Sequence, residues 1–283
     1  RVTMIRCSAV RPLLAAVLLA LGFVMPVLGV PVAAAADAAT WSVQPATATG
    51  PDPSRSRFDF LDIEPGQRLL DHVAVHNRGS TDLTLRVYAS DAITTANGGF
   101  DLLPAEQSPV AAGSWVMLAT PEVSLAPGQA AIVPFTITVP QDASPGEHAG
   151  GIVAALVVPA TGTDGTNVDV HYRVGVRIYL RVAGPLTPAL EIDDVVARYE
   201  GGLNPLELGD LHVGWTVRNT GNVRLSGAQL LRVSGPFGIT LATGRLEDLP
   251  ELLPGASISL VHVRPDLLPL ILLGARIAIR PVG

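Results

Sequence analysis

Cysteine is almost absent. Cys7 is the single one in 283 residues, so neither a disulfide framework nor a thiolate metal site is available. Lysine is missing altogether: all 19 basic residues are arginine, against 25 Asp and Glu. The formal net charge of −6 argues against a nucleic-acid binder. Aromatic residues make up only 5% of the chain. Past the N-terminus no apolar run is long enough to cross a bilayer, which takes about 20 residues. The stretch LLPLILLGA (267–275) comes closest and has nine. Catalytic signatures are lacking too. There is no G-x-S-x-G and no HExxH, and the acidic doublets Asp193-Asp194 and Glu247-Asp248 would point to opposite faces of a strand. No nucleophile, base and orienting group stand out, so a non-catalytic protein is expected.

Metal and cofactor sites are not expected either. His72 and His76 share a strand face but sit about 13 Å apart at a strand's rise, too far for one zinc ion. His148, His171, His212 and His262 are dispersed. Asp164-Gly165-Thr166-Asn167 with Asp169 is faintly calcium-like and lacks the ligand spacing of a full loop.

What is abundant is glycine and proline, 28 and 24 residues, the composition of many short strands joined by turns. The N-terminus reads as a secretory signal peptide over residues 1–36. Arg1, Arg6 and Arg11 precede an apolar stretch from Leu13 to Val32, and Ala33–Ala36 offers A-x-A-like cleavage sites. Removing those three arginines leaves 16 against 25 acids, a net −9, in a chain without cysteine. That suits an exported protein of a bacterial cell envelope.

Period-two alternation carries the fold reading. In AAIVPFTITVP, Val133, Phe135, Ile137 and Val139 alternate with more polar positions, and Pro140 should end the strand. Pro145-Gly146 signals a turn, with the next strand opening at Gly150-Gly151. LLDHVAVHN and Leu83–Val87, joined by Asn77-Arg78-Gly79-Ser80, read as a β-hairpin. The longest strand runs from Val168 to Val182. It places Val170, Tyr172, Val174, Val176, Ile178, Leu180 and Val182 on one face, and His171, Arg173, Arg177, Tyr179 and Arg181 on the other. Gly184-Pro185 closes a first domain.

A second domain repeats the plan. LELGDLHVGWTVRNTGNVRL echoes EPGQRLLDHVAVHNRGSTDLTL, and Leu253-Pro254-Gly255 with SISLVHV echoes Ala126-Pro127-Gly128 with its strand. Asn219 to Gly255 is 36 positions, whereas Asn77 to Gly128 is 51. The shorter copy lacks residues 90–114, which are therefore an insertion in a common sandwich. The expected architecture is all-β: two tandem immunoglobulin-like β-sandwiches, 37–184 and 185–283, after the signal peptide.

The first domain resembles the N-terminal domain of the WxL-interacting proteins, cell-surface proteins of Gram-positive bacteria. The carrying residues are Pro65-Gly66-Gln67, VAVHNRGS, Leu125–Phe135, VPQDASPGEHAGGIVA (139–154) and YRVGVRIYLRVAG (172–184), over roughly Thr40 to Gly184. The resemblance implies a secreted protein whose first domain binds peptidoglycan and whose second engages a host or partner surface protein, such as a WxL-type protein. It also implies a transmembrane helix and basic tail beyond Gly283, hence a membrane tether if the chain continues.

Two groups of residues are the candidate ligand contacts. His171, Arg173, Arg177, Tyr179 and Arg181 form a basic, partly aromatic stripe. Arginine forks suit the carboxylates and phosphates of peptidoglycan stems and wall polymers; a merely solvated strand face is the competing reading. Asn97, Phe100, Asp101 and nearby Trp115 would form a glycan-contacting rim on the insertion, against a purely structural loop. QDASPGEHAGG is expected to shape the domain without binding. The alternative to a wall-binding protein is a pilus-type assembly chaperone with two immunoglobulin-like domains, completing a partner's fold by strand donation.

Overall fold

A computed structural model describes residues 40–161, 166–202, 204, 207–268 and 273–282. The signal-peptide reading, Cys7, Asp164-Gly165 of the calcium-like loop and the middle of the 267–275 run lie outside the described residues. Among the described residues the chain is all-β, with four sheets and two 3-10 turns.

The N-terminal half contains β1 (Trp41–Thr47), β2 (Gly50–Pro51), β3 (Phe58–Ile63), β4 (Arg68–Asn77), β5 (Leu83–Thr94), β6 (Phe100–Leu102), β7 (Val116–Leu118), β8 (Glu122–Leu125), β9 (Ala130–Thr138), β10 (Gly146–Thr161) and β11 (Asn167–Val182). One sheet runs β2-β1-β4-β9-β7; the other runs β3-β11-β10-β5-β6, with β8 also on β5. Their inner faces share one core, including Phe58, Val75, Leu85, Phe135, Ile152 and Ile178. The alternation read in β9 holds: Val133, Phe135 and Ile137 are buried, and Phe135 meets Phe58 edge-on with ring centres 5.1 Å apart.

The C-terminal half contains β12 (Leu190–Glu200), β13 (Gly209–Asn219), β14 (Leu225–Ser234), β15 (Thr240–Arg245), β16 (Leu249–Leu252), β17 (Ser257–Leu267) and β18 (Gly274–Val282). A third sheet is β12-β13-β17. The fourth is β15-β14-β16, with β18 on the other side of β14. These two sheets have their own core, with Leu211, Trp215, Leu231, Val233, Leu249 and Leu252.

The expected hairpin at Asn77 is not a hairpin. β4 belongs to the first sheet and β5 to the second, so residues 78–82 arch from one layer to the other. The reason lies in Asn77, which is fully buried. Its amide donates to the carbonyls of Thr81 (2.7 Å) and Leu125 (3.0 Å), and its Oδ1 accepts the Gly79 N–H (2.9 Å). These bonds fold the backbone inward instead of returning it beside β4. Asn219 does the same in the second half, bonding the Val223 and Leu252 carbonyls at 2.7 and 3.0 Å and the Gly221 N–H at 3.0 Å. Even the main-chain bonds repeat: Gly128 N–H donates to Asn77 O and Gly255 N–H to Asn219 O.

Two other boundaries move. β10 begins at Gly146, ahead of the expected Gly150, and Gly146 has a left-handed φ of 116°. On β11 the inner face is buried only from Val176 onward, and Tyr172 is exposed. The β10–β11 ladder runs all the way to Thr161 and Asn167, whereas β5 covers β10 only from Gly150 to Ala155.

Candidate functional site

The insertion after β5 is organised by one carboxylate. Asp91 is buried, and it accepts the N–H groups of Val110 (2.6 Å), Ala111 (2.9 Å) and Gly113 (2.7 Å). Ser90 ties down the other end, its hydroxyl donating to the Leu103 carbonyl at 2.8 Å. Gly113 is required here, because a Cβ would lie 2.4 Å from the Ser90 backbone. The anchored loop becomes a 3-10 turn, Ala112–Trp115, which delivers Trp115 to the edge of the first sheet.

There it forms one wall of a cleft of about 830 Å³. The sheet register makes the floor. Val116, Met117 and Leu118 pair with Ile137, Thr136 and Phe135, while Arg68 and Leu70 pair with Thr138 and Thr136. The outward side chains of three strands, Met117, Thr136, Thr138 and Arg68, therefore converge. The opposite wall is Pro140, Asp142, Ala143, Ser144 and His148. Trp115 and His148 rings lie 4.7 Å apart at 52°. His148 Nε2 sits 2.9 Å from the Ser144 carbonyl, an acceptor only, so that nitrogen carries the proton. Met117 is 76% exposed. The cleft thus offers an aromatic face, an apolar side chain, hydroxyls, a cation and an anion at an open site. That combination suits a polymer carrying sugar faces, hydroxyls and mixed charges.

The nine predicted contacts do not gather at one place. Trp115 is in the cleft. Phe100 and Asp101 are on β6, and Asn97 is at the tip of the β5–β6 hairpin, exposed. That hairpin leans on the C-terminal half: a Cβ on Gly98 would meet Pro250 at 2.3 Å, and Thr94 Oγ1 lies 3.4 Å from the Leu253 N–H. The expected single rim is therefore split between a cleft residue and a hairpin packed within the chain.

The arginine stripe does share one face, as alternation required, but its guanidinium groups face acceptors of the same chain. Arg173 donates to the Leu102 carbonyl at 2.9 Å and lies 3.6 Å from Asp101. Arg177 stacks on Phe100 at 4.3 Å. His171 lies 3.8 Å from Glu106. Tyr179 is only 5% exposed, covered by Arg224 at 3.8 Å and edge-on to Phe100. Arg181 bonds Glu147 at 2.6 Å. The stripe from His171 to Arg177 is covered by the β6 region of the same half, and only its Tyr179–Arg181 end meets the second half, through Arg224.

Glu147 is the centre of that junction. Beside Arg181, it accepts the Arg224 backbone N–H at 2.7 Å and the Arg224 Nε at 3.0 Å. Burial alone would push its carboxyl upward; the hydrogen bonds from Arg224 and Arg181 outweigh that and hold it down at about 2. Asn222 closes the seam, its amide donating to the carbonyls of Pro145 and Pro185.

Sequence reasoning missed most of the cleft. Arg68, Thr136 and Thr138 were available only as outward positions of strands whose order was not known. Asp142, Ser144 and His148 lie in QDASPGEH, expected to shape the fold only, and this segment also lines the cleft.

Residues 41–155 match the family model described as WxL Interacting Protein, peptidoglycan binding domain. The resemblance read from the sequence is met on those residues, and the Tyr172–Gly184 motif lies beyond the match. No curated protein matches the chain. Similar solved structures include the class 5 fimbriae chaperone CfaA, at 14% identity over 85% of this chain and 99% of that one, with a TM-score of 0.39. The YadV chaperone is similar at 10% identity over 86% and 93%, with a TM-score of 0.41. The CsuC-CsuE chaperone–tip adhesion subunit complex of Acinetobacter baumannii is similar at 13% identity over 78% and 90%, with a TM-score of 0.37.

Proposed function

We propose that this chain is an exported, non-catalytic protein of the bacterial cell envelope, built of two tandem immunoglobulin-like sandwiches (37–184 and 185–283), whose first sandwich binds peptidoglycan in the Trp115–His148 cleft. The observation that carries the reading is the coincidence of two independent facts: the open cleft of about 830 Å³ at Trp115 lies wholly inside residues 41–155, and those residues match a peptidoglycan binding domain model. Trp115 and Met117 supply the surface for a sugar face, Thr136 and Thr138 bond hydroxyls, Arg68 takes a stem-peptide carboxylate, and Asp142 takes an amino group. Among the described residues the second sandwich has no counterpart of the 103–118 segment that builds the cleft wall. It is the part left to engage a partner such as a WxL-type surface protein.

Purified insoluble sacculi test the cleft. The full chain sediments with peptidoglycan and not with cellulose, and Trp115→Ala weakens retention by about tenfold or more, the scale of losing one buried aromatic anchor. Retention unchanged by Trp115→Ala contradicts the assignment.

One observation favours the chaperone alternative. Among the described residues the outer edge of β11 has a ladder partner, β3, only over Ile178–Val182, which leaves most of a 16-residue strand open to pairing. That reading expects a subunit that folds only with this chain present, and no retention on sacculi.

A further inference from the structure

The fourth sheet has an outward face that neither the cleft nor the junction uses. On β14 the inward side chains are Leu225, Gln229, Leu231 and Val233, so Ala228, Leu230 and Arg232 point out. The register places Arg232 beside Arg276, Leu230 between Arg245 and Ala278, and Ala228 beside Arg280. β14, β15 and β18 together contain these four arginines and no acidic residue. Arg245 is paired with Asp248 at 2.8 Å. Arg232, Arg276 and Arg280 are exposed, and no carboxylate pairs with them among the described residues.

The opposite layer has the opposite charge. The strands of the third sheet carry Glu191, Asp193, Asp194, Glu200, Asp210 and Asp266 against three arginines. The two sheets face each other across their shared core, so the C-terminal half has one cationic and one anionic side. In a chain of net charge −6, this segregation orients the half toward an anionic partner.

The same sheet exposes apolar groups. Phe237, in the turn between β14 and β15, is 100% exposed and held at a left-handed φ of 58°. Ile239 is 62% exposed beside it, and Leu241 and Leu230 are also open to solvent. A soluble polyanion answers the arginines and leaves Phe237, Ile239 and Leu230 in water. A bilayer with anionic headgroups answers both, because phosphates meet the guanidinium groups while the aromatic tip enters the acyl boundary. We propose that the outward face of β15-β14-β18, with the Phe237 tip, is a docking surface for an anionic phospholipid bilayer, lying on it with the acidic third sheet turned away.

Because residues 13–32 are themselves apolar, the test needs a local readout in the full chain. Phe237→Trp is compared with the parent protein on vesicles carrying brominated acyl chains. On an equal mixture of phosphatidylglycerol and phosphatidylcholine, the fluorescence of the introduced indole shifts to the blue and is quenched beyond the parent's background. Adding Arg276→Gln and Arg280→Gln raises the lipid needed for half-quenching by about 20-fold, with an unchanged thermal midpoint. Phosphatidylcholine alone, or high salt, has the same weakening effect. No extra quenching on the anionic vesicles overturns the proposal. So does quenching that is equal on both lipids and indifferent to the two arginines, since that is apolar adhesion without headgroup recognition.

Discussion

Asn77 and Asn219 make matching sets of hydrogen bonds in the two halves, yet only the first half carries the Trp115 cleft. The spacing between each asparagine and its partner glycine differs by the length added between β5 and β9. The expected insertion of 90–114 is narrower in the structure: the β5–β6 hairpin has a counterpart in β14–β15, and the added chain is 103–118, which delivers Trp115 to the first sheet. A shared corner and a shared hairpin thus supply the scaffold, and a segment pinned by Asp91 supplies the site. A function placed on the insertion leaves the corner free to stay the same in both copies.

The largest effect should come from cutting the two halves apart at Glu147. Glu147→Ala takes the carboxylate from Arg181 and leaves Arg224 with Glu251 at 3.6 Å, in a half-buried seam, and costs about 3 kcal/mol; differential scanning calorimetry should then resolve two transitions in place of one. Acid should read the same contact. The carboxyl is held at about 2, below its usual 4.5, so its contribution is complete above pH 4.5 and lost as the pH falls through 2. The amount is about 3 kcal/mol, and Glu147→Gln should flatten that part of the pH–stability curve.

The corner comes next. Asn77→Ala and Asn219→Ala each orphan two carbonyls and one N–H, and each should cost about 3 kcal/mol. Similar losses of urea stability support equivalent corners; a loss at one position only breaks the comparison. Asp91→Ala should be milder globally, about 2 kcal/mol, because the three freed N–H groups sit in a loop that can reach water. Its local effect should be plain, with proteolysis appearing between 103 and 112 and sacculus retention falling while the second half is untouched.

These contrasts also explain how much was legible in the sequence. Alternation in β9, and in β11 from Val176 onward, sorted core residues from the outer face, and the echoed Asn and Gly spacing found the repeat. Period two says nothing about which strand lies alongside, so the arch at residues 78–82 looked like a hairpin. It also says nothing about what covers an outward face. Arg173, Arg177 and Arg181 recur every four residues and meet Leu102, Phe100 and Glu147, contributed by other parts of the chain. Arg276 and Arg280, whose alternation in ARIAIR marks a last strand, have the same spacing on β18 and no such cover among the described residues. The cleft was illegible for a related reason: its walls come from positions between 68 and 148, joined only by the order β4-β9-β7 and by Asp91.

The most direct test sets the cleft against the stripe on one substrate. Binding isotherms on purified sacculi are measured for the parent chain, for Trp115→Ala with Arg68→Ala, and for Arg173→Gln with Arg177→Gln, each checked for an intact fold by its thermal midpoint. The account predicts that the cleft pair lowers affinity by about 50-fold or more and that the stripe pair leaves it within about twofold of the parent. Loss of binding with the stripe pair and retention with the cleft pair would contradict it.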